Sequence, residues 1–152
     1  MGVALIPLGA AMKAELLAVR VLHADETPVA QLDPGAGKTH RSYLFVYRSA
    51  DPESDITIFD YCQTRSGKHA ARFLGDWRGA LMVDEFGGYQ GLFPKITELA
   101  CLAHARRKFN DLVESKSSTR AHEVLEPIAQ LYHIDAIAKG LDLPQRCAYR
   151  RQ

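Results

Sequence analysis

Val21-Leu22-His23-Ala24-Asp25-Glu26-Thr27-Pro28-Val29 is a short apolar run with two adjacent carboxylates set into it. Aliphatic and β-branched residues at this spacing read as a strand. Thr27 stays extended because the residue before a proline is driven out of the helical region. A carboxylate in the middle of such a strand is costly to bury unless something cationic meets it, so Asp25 is the first candidate for a functional group. His23 shares its face by the two-residue period of a strand, where it reads either as a partner of Asp25 or as a satisfied core histidine. Glu26 falls on the opposite face and reads as structural.

Upstream, Met12, Leu16, Leu17 and Val19 recur at helix-like intervals, so the spacing predicts a short amphipathic helix over 10–19 that leads into the strand. Downstream, Asp33-Pro34-Gly35-Ala36-Gly37-Lys38 is a turn cluster, and Tyr43-Leu44-Phe45-Val46-Tyr47 is a second strand, making a hairpin. Ile56 to Tyr61 alternates as a third strand. Ser66 is placed to cap a helix running to about Leu74. The continuous apolar run Ala80-Leu81-Met82-Val83 suggests a strand buried on both faces, with Asp84-Glu85 at its exit. Residues 87–94 read as a short crossover, Leu99 to Ala103 as a fifth, buried strand and His104 to Val113 as a helix. A long amphipathic helix follows from Ala121, with a kink or restart expected at Pro127. Gly140 is a plausible helix end, with Pro144 beyond it.

This order, three strands, a helix, a strand, a short helix, a strand and a helix, resembles that of the ribonuclease H-like fold, an α/β architecture with a mixed five-stranded sheet and flanking helices. One domain is expected from the length: a leading helix over 1–20, a core over 21–113 and a C-terminal helical segment over 114–152. In that arrangement the fourth strand lies beside the first, and Asp25 and Asp84 converge. Two carboxylates at close range repel each other unless a cation lies between them. Mg²⁺ suits such a site, since it takes hard oxygen ligands from one or two carboxylates and completes its shell with water and phosphate oxygens.

Composition narrows the partners. A formal net charge of +1 argues against nucleic-acid binding by bulk charge, so any such contact must come from a local patch. Cys62, Cys101 and Cys147 are odd in number and widely spaced, as expected of free thiols in a reducing cytoplasm. The N-terminal apolar run has its first lysine, Lys13, behind it, the reverse of a signal peptide. No stretch approaches the ~20 apolar residues of a membrane span, so a soluble cytoplasmic protein with no membrane partner is expected.

Several motifs together resemble the transposases of the insertion-sequence-66 family. They are His23 to Val29, Asp33-Pro34-Gly35 with Gly37-Lys38-Thr39, Phe59-Asp60-Tyr61 with Arg65-Ser66-Gly67, and Cys101 with Ala103-His104-Ala105-Arg106-Arg107-Lys108-Phe109. The likeness runs in order from about residue 10 to 151 and includes Leu131-Tyr132. It implies a ribonuclease H-like core of the acidic-triad kind that cuts and joins transposon DNA. Asp25 and Asp84 then match the first two acids, catalytic and metal-binding, for Mg²⁺ or Mn²⁺, two ions in the complete family site. The family usually has a small residue and then Tyr after the second acid, where this chain reads Asp84-Glu85-Phe86-Gly87-Gly88-Tyr89. Its third acid, a Glu in an Asn-rich motif on a later helix, has no counterpart before Gln152. The implied molecule is therefore a central catalytic-core fragment, incomplete at the C-terminus and inactive alone. The alternative is a non-catalytic remnant that binds DNA weakly, associates with a full-length transposase or self-associates.

Plainer readings stand beside these. Asp25 and Asp84 could be strand-end acids satisfied by local backbone N–H groups. His104, Arg106, Arg107 and Lys108 open a helix that could meet DNA phosphates, or could simply be a solvated basic face. Lys38, at the hairpin tip, is a further candidate DNA contact. Cys101-x-x-His104 is half of a zinc set with no second pair. Gly35-Ala36-Gly37-Lys38-Thr39 lacks the first glycine of a phosphate loop, because position 32 is Leu32.

Overall fold

The computed structural model describes residues 2–151, so Met1 of the leading segment and Gln152 lie outside the described residues. The chain divides into two compact units, residues 1–101 and 102–152. The first is built on a five-stranded mixed sheet: β1 (Val21–Asp33), β2 (Lys38–Ser49), β3 (Thr57–Cys62), β4 (Ala80–Val83) and β5 (Thr97–Ala100). Their order across the sheet is β3-β2-β1-β4-β5. The first three strands pair antiparallel, and β4 and β5 join parallel to β1. Parallel neighbours need crossover connections. These are α2 (Gly67–Leu74) between β3 and β4, and a 3-10 turn (Gly87–Leu92) between β4 and β5.

The core lies on one face of this sheet. Leu22 and Ala24 of β1, Phe45 and Tyr47 of β2, and Leu81 and Val83 of β4 point inward by strand alternation and meet Leu16 of α1 (Ile6–Leu16) and Ala70, Phe73 and Leu74 of α2. Tyr47 stacks on Phe73 with ring centroids 3.8 Å apart, and Trp77 donates its indole N–H to the Val19 carbonyl at 3.0 Å. The opposite face carries His23 and Asp25 and is more open, with Phe59 63% and Tyr61 45% exposed.

The hairpin turn needs glycine, since Gly35 and Gly37 both adopt positive φ, 85° and 62°. The Ser66 cap is present, its hydroxyl accepting from the Lys68 N–H at 3.4 Å. Other details differ from the sequence reading. The first helix occupies 6–16 rather than 10–19, because Pro7 suits a helix start. The fifth strand ends at Ala100 and lies at the sheet edge, so only Leu99 among its residues is half-buried, where a buried strand was expected. Nor is β4 buried on both faces: Leu81 and Val83 are buried, while Ala80 and Met82 on the other face are only partly so.

The second unit is helical: α3 (Leu102–Glu114), α4 (Ala121–Ala138) and α5 (Leu143–Tyr149). α3 packs on α4, where the Arg106 guanidinium lies 5.7 Å from the centre of the Tyr132 ring. α4 runs through Pro127 instead of restarting there. Pro144 does not follow a final stop; it opens α5, which Asp142 caps by accepting the Gln145 N–H at 2.8 Å.

Candidate metal centre

The seam between β1 and β4 sets the geometry of the site. Val21, Leu22 and His23 pair with Ala80, Leu81 and Met82, and no later residues of the two strands do. Asp25 and Asp84 keep the same offset as these pairs (80 − 21 = 84 − 25 = 59), so both stand two positions beyond the last paired residues. Here β1 and β4 part, and a carboxylate oxygen of Asp25 and one of Asp84 lie within 4.8 Å of each other. A crevice beyond the carboxyl ends of parallel strands is where open α/β sheets place ligands.

Each acid is also tied to its own chain. Asp25 Oδ1 accepts the Glu26 N–H at 2.9 Å, and Asp84 Oδ1 accepts the Phe86 N–H, also at 2.9 Å. The local backbone contacts of the plainer reading are therefore present, and they coexist with the convergence. Each carboxylate keeps lone pairs beyond that one bond. Asp25 is exposed and Asp84 half-buried, so both remain accessible. Two accessible hard oxygen donors within this distance fit a divalent cation of the Mg²⁺ class.

Behind the pair lies a buried polar cluster around Glu26, whose structural role strand alternation suggests but whose partners it does not. Glu26 is 7% exposed on the core face. Its Oε1 accepts from Arg65 Nε at 2.9 Å and Nη2 at 2.6 Å, and its Oε2 accepts from the Tyr89 hydroxyl at 2.8 Å. The Arg65 guanidinium lies 4.2 Å from the centre of the Phe86 ring, which meets Tyr89 edge-on at 5.5 Å. Burial raises the pKa of Glu26; the Arg65 and Tyr89 hydrogen bonds oppose that, and the nearby charge of Asp84 adds to it. Burial also raises the Tyr89 hydroxyl, which stays protonated and able to donate. Arg65 could have been found from sequence by asking which cation answers a buried acid at position 26.

The remaining candidates lie on several elements. His23 shares the open face with Asp25, but among the described residues no hydrogen bond joins them. Burial, then the Arg48 charge, lowers the His23 pKa, so the ring is neutral at pH 7. Lys38 begins β2 at the exposed hairpin end. His104, Arg106, Arg107 and Lys108 lie on α3 in the second unit, His104 half-buried and the three basic residues exposed. All three cysteines are free thiols.

Comparison with known proteins agrees with the motif reading. The profile of the Transposase IS66 family matches residues 1–152. The chain is similar to three proteins of Sinorhizobium fredii (strain NBRC 101917 / NGR234). Uncharacterized protein y4jD is 30% identical over 80% of this chain and 26% of its own length, and uncharacterized protein y4qI is 29% identical over 85% and 26%. Uncharacterized protein y4hP is 25% identical over 98% of this chain and 31% of its own length. The chain thus spans about a quarter to a third of these relatives. No solved structure matches it. The chain belongs to the IS66 family of transposases. No helix among the described residues is long and apolar enough to cross a membrane.

Proposed function

We propose that this chain is a ribonuclease H-like catalytic-core segment of a transposase, acting in the cytoplasm on phosphodiesters at transposon ends. The observation that carries the reading is the shared register of Asp25 and Asp84, which brings two carboxylates together where two parallel strands separate. These two residues would hold the metal, Mg²⁺ or Mn²⁺. When bound, such ions lower the pKa of an attacking water or 3′-hydroxyl and stabilise the leaving oxygen.

The chain's own part is to hold two oxygen donors in place before any ligand arrives, so that little reorganisation remains at binding. Arg106, Arg107 and Lys108 on α3, with His104 beside them, and Lys38 on the hairpin are the proposed backbone contacts, which position DNA without reading its sequence. Two carboxylates alone hold metal loosely. These 152 residues are therefore expected to bind metal and DNA without turnover, and to cut and join strands only with the rest of the transposase.

Calorimetric titration with Mn²⁺ and Mg²⁺ tests the site, comparing the wild-type chain with Asp25→Ala and Asp84→Ala. Saturable binding that each substitution weakens by about tenfold or more supports a shared centre. Wild-type binding no stronger than that of either variant overturns it. A labelled oligonucleotide carrying a transposon end then separates metal-dependent nicking from binding without turnover.

A further inference from the structure

Asp84 stands one residue beyond a strand of only four residues, and the last ladder bond before it is the Cys101 N–H to the Val83 carbonyl at 3.0 Å. The Asp84 carboxylate accepts the backbone N–H of Phe86, two residues along the same loop. Beyond that ladder bond, the position of the Asp84 carboxylate depends on what fixes Phe86. What touches Phe86 is Arg65, whose guanidinium lies on the ring at 4.2 Å, and Tyr89, which meets it edge-on. Arg65 and Tyr89 are in turn hydrogen-bonded to opposite oxygens of one buried carboxylate, Glu26. Glu26 follows Asp25 directly, and its N–H is the one that Asp25 accepts.

We propose that Arg65, clamped by Glu26, is a positioning residue for the acid pair: it fixes the Asp84 loop against the strand that carries Asp25. The inference rests on the metal-centre reading and adds to it a part played by residues that touch no ligand. Three observations beyond the hydrogen bonds support it. Glu26 and Arg65 neutralise each other, so the support adds no net negative charge behind two acids that already repel. Arg65 is 46% exposed at its side chain while Glu26 is 1% exposed, so the buried carboxylate is the fixed end of the clamp. Moreover, α2 begins two residues after Arg65 and packs so tightly on the 3-10 turn that a Cβ on Gly67 would fall on the Gly88 carbonyl. The Arg65 backbone is thereby held against the same turn that its side chain braces. The planar fork of arginine is what allows two parallel bonds to one oxygen together with stacking on a ring, a combination that lysine cannot reproduce.

The test compares the wild-type chain with Arg65→Met, Arg65→Lys and Tyr89→Phe. The first readout is hydrogen exchange of the Phe86 amide by NMR, without metal. The second is Mn²⁺ affinity by calorimetry, at a temperature where circular dichroism shows each variant folded. In Arg65→Met, the Phe86 amide is expected to lose about tenfold or more of its protection while core amides such as that of Leu81 keep theirs, and Mn²⁺ affinity is expected to fall about tenfold. Arg65→Lys should recover part of both. Tyr89→Phe removes the hydroxyl but keeps Arg65 on Glu26, and should lower the melting temperature with affinity changed less than about threefold. An unchanged Phe86 amide and unchanged affinity in a folded Arg65→Met variant would overturn the proposal. If Arg65→Met does not fold, Arg65→Lys decides alone: wild-type exchange and affinity there refute the need for the fork, and intermediate values support it. Failure of the metal reading looks different, with Asp25→Ala and Asp84→Ala leaving Mn²⁺ binding unchanged while the exchange experiment still reports on the clamp.

Discussion

Asp25 and Asp84 reach the same point by different means. Asp25 lies within a 13-residue strand and pairs with Val46 of β2, so hydrogen bonds along the chain on both sides fix its position. Asp84 lies beyond a four-residue strand and accepts a backbone N–H from its own loop, which on our proposal Arg65 and Tyr89 hold in place. The comparison teaches that one half of the centre is as stable as the sheet, while the other can loosen locally without unfolding. Local opening is expected where few ladder bonds hold the backbone.

The sharpest way to break this contrast is to damage the sheet. Leu22 is fully buried and pairs with the equally buried Leu81 across the β1–β4 seam. Leu22→Ala should therefore lower global stability by about 2–5 kcal/mol in denaturant unfolding, as large-to-small core changes do. Below its melting temperature the variant should keep near-wild-type Mn²⁺ affinity; a large loss in the folded variant would show that both acids depend equally on the core. Gly67→Ala works on the other side. Its methyl group meets backbone rather than a movable side chain, so a destabilisation of about 1–3 kcal/mol is expected, with Mn²⁺ affinity falling more than in Leu22→Ala although the unfolding free energy changes less.

The smallest effect concerns pH. Burial raises the pKa of Glu26 in the folded state. A carboxyl so shifted contributes stability that is fully present below its unfolded pKa, about 4.3, and is lost as pH rises through the folded value. Glu26→Gln removes that dependence. Melting temperatures of the variant relative to wild type should thus shift in the variant's favour as pH climbs from about 4 towards 7; a difference that is flat with pH would mean that Arg65 fully compensates the burial of the carboxylate.

Much of the architecture could be read from residue pattern. The alternation around Asp25, the Gly35 and Gly37 turn, the Ser66 cap and the apolar run ending at Asp84 each state a local preference that the fold keeps. The convergence of Asp25 and Asp84 was legible because an acid set into one apolar strand and another at the exit of a second are conspicuous once the strand order puts the two side by side. Glu26 was legible only as a structural acid on the face opposite Asp25; its burial was not, since a carboxylate next to another carries no local sign of which one is buried. Its partners Arg65 and Tyr89 lie 39 and 63 residues away, and only the crossover through α2 and the 3-10 turn brings them back to β1. The edge position of β5 escaped for a similar reason: an apolar run looks alike whether two neighbours cover it or one. The continuity of α4 through Pro127 shows neighbouring turns sustaining a helix past a residue that, taken alone, argues for a break.

The 59-residue offset along the β1–β4 seam has a consequence for folding order. The antiparallel hairpin of β1 and β2 can close as soon as residues 21–49 exist, because its ends are near in sequence. The seam must instead bring together positions 59 residues apart, at a chain-entropy cost of about 3–4 kcal/mol beyond a constant, and such distant contacts form slowly. Contact order alone therefore leads one to expect Asp25 in place on its strand before Asp84 arrives. A divalent ion that requires both acids gains its grip only when the crossover closes, so its binding energy is added at the last major step of assembling the sheet rather than guiding the first.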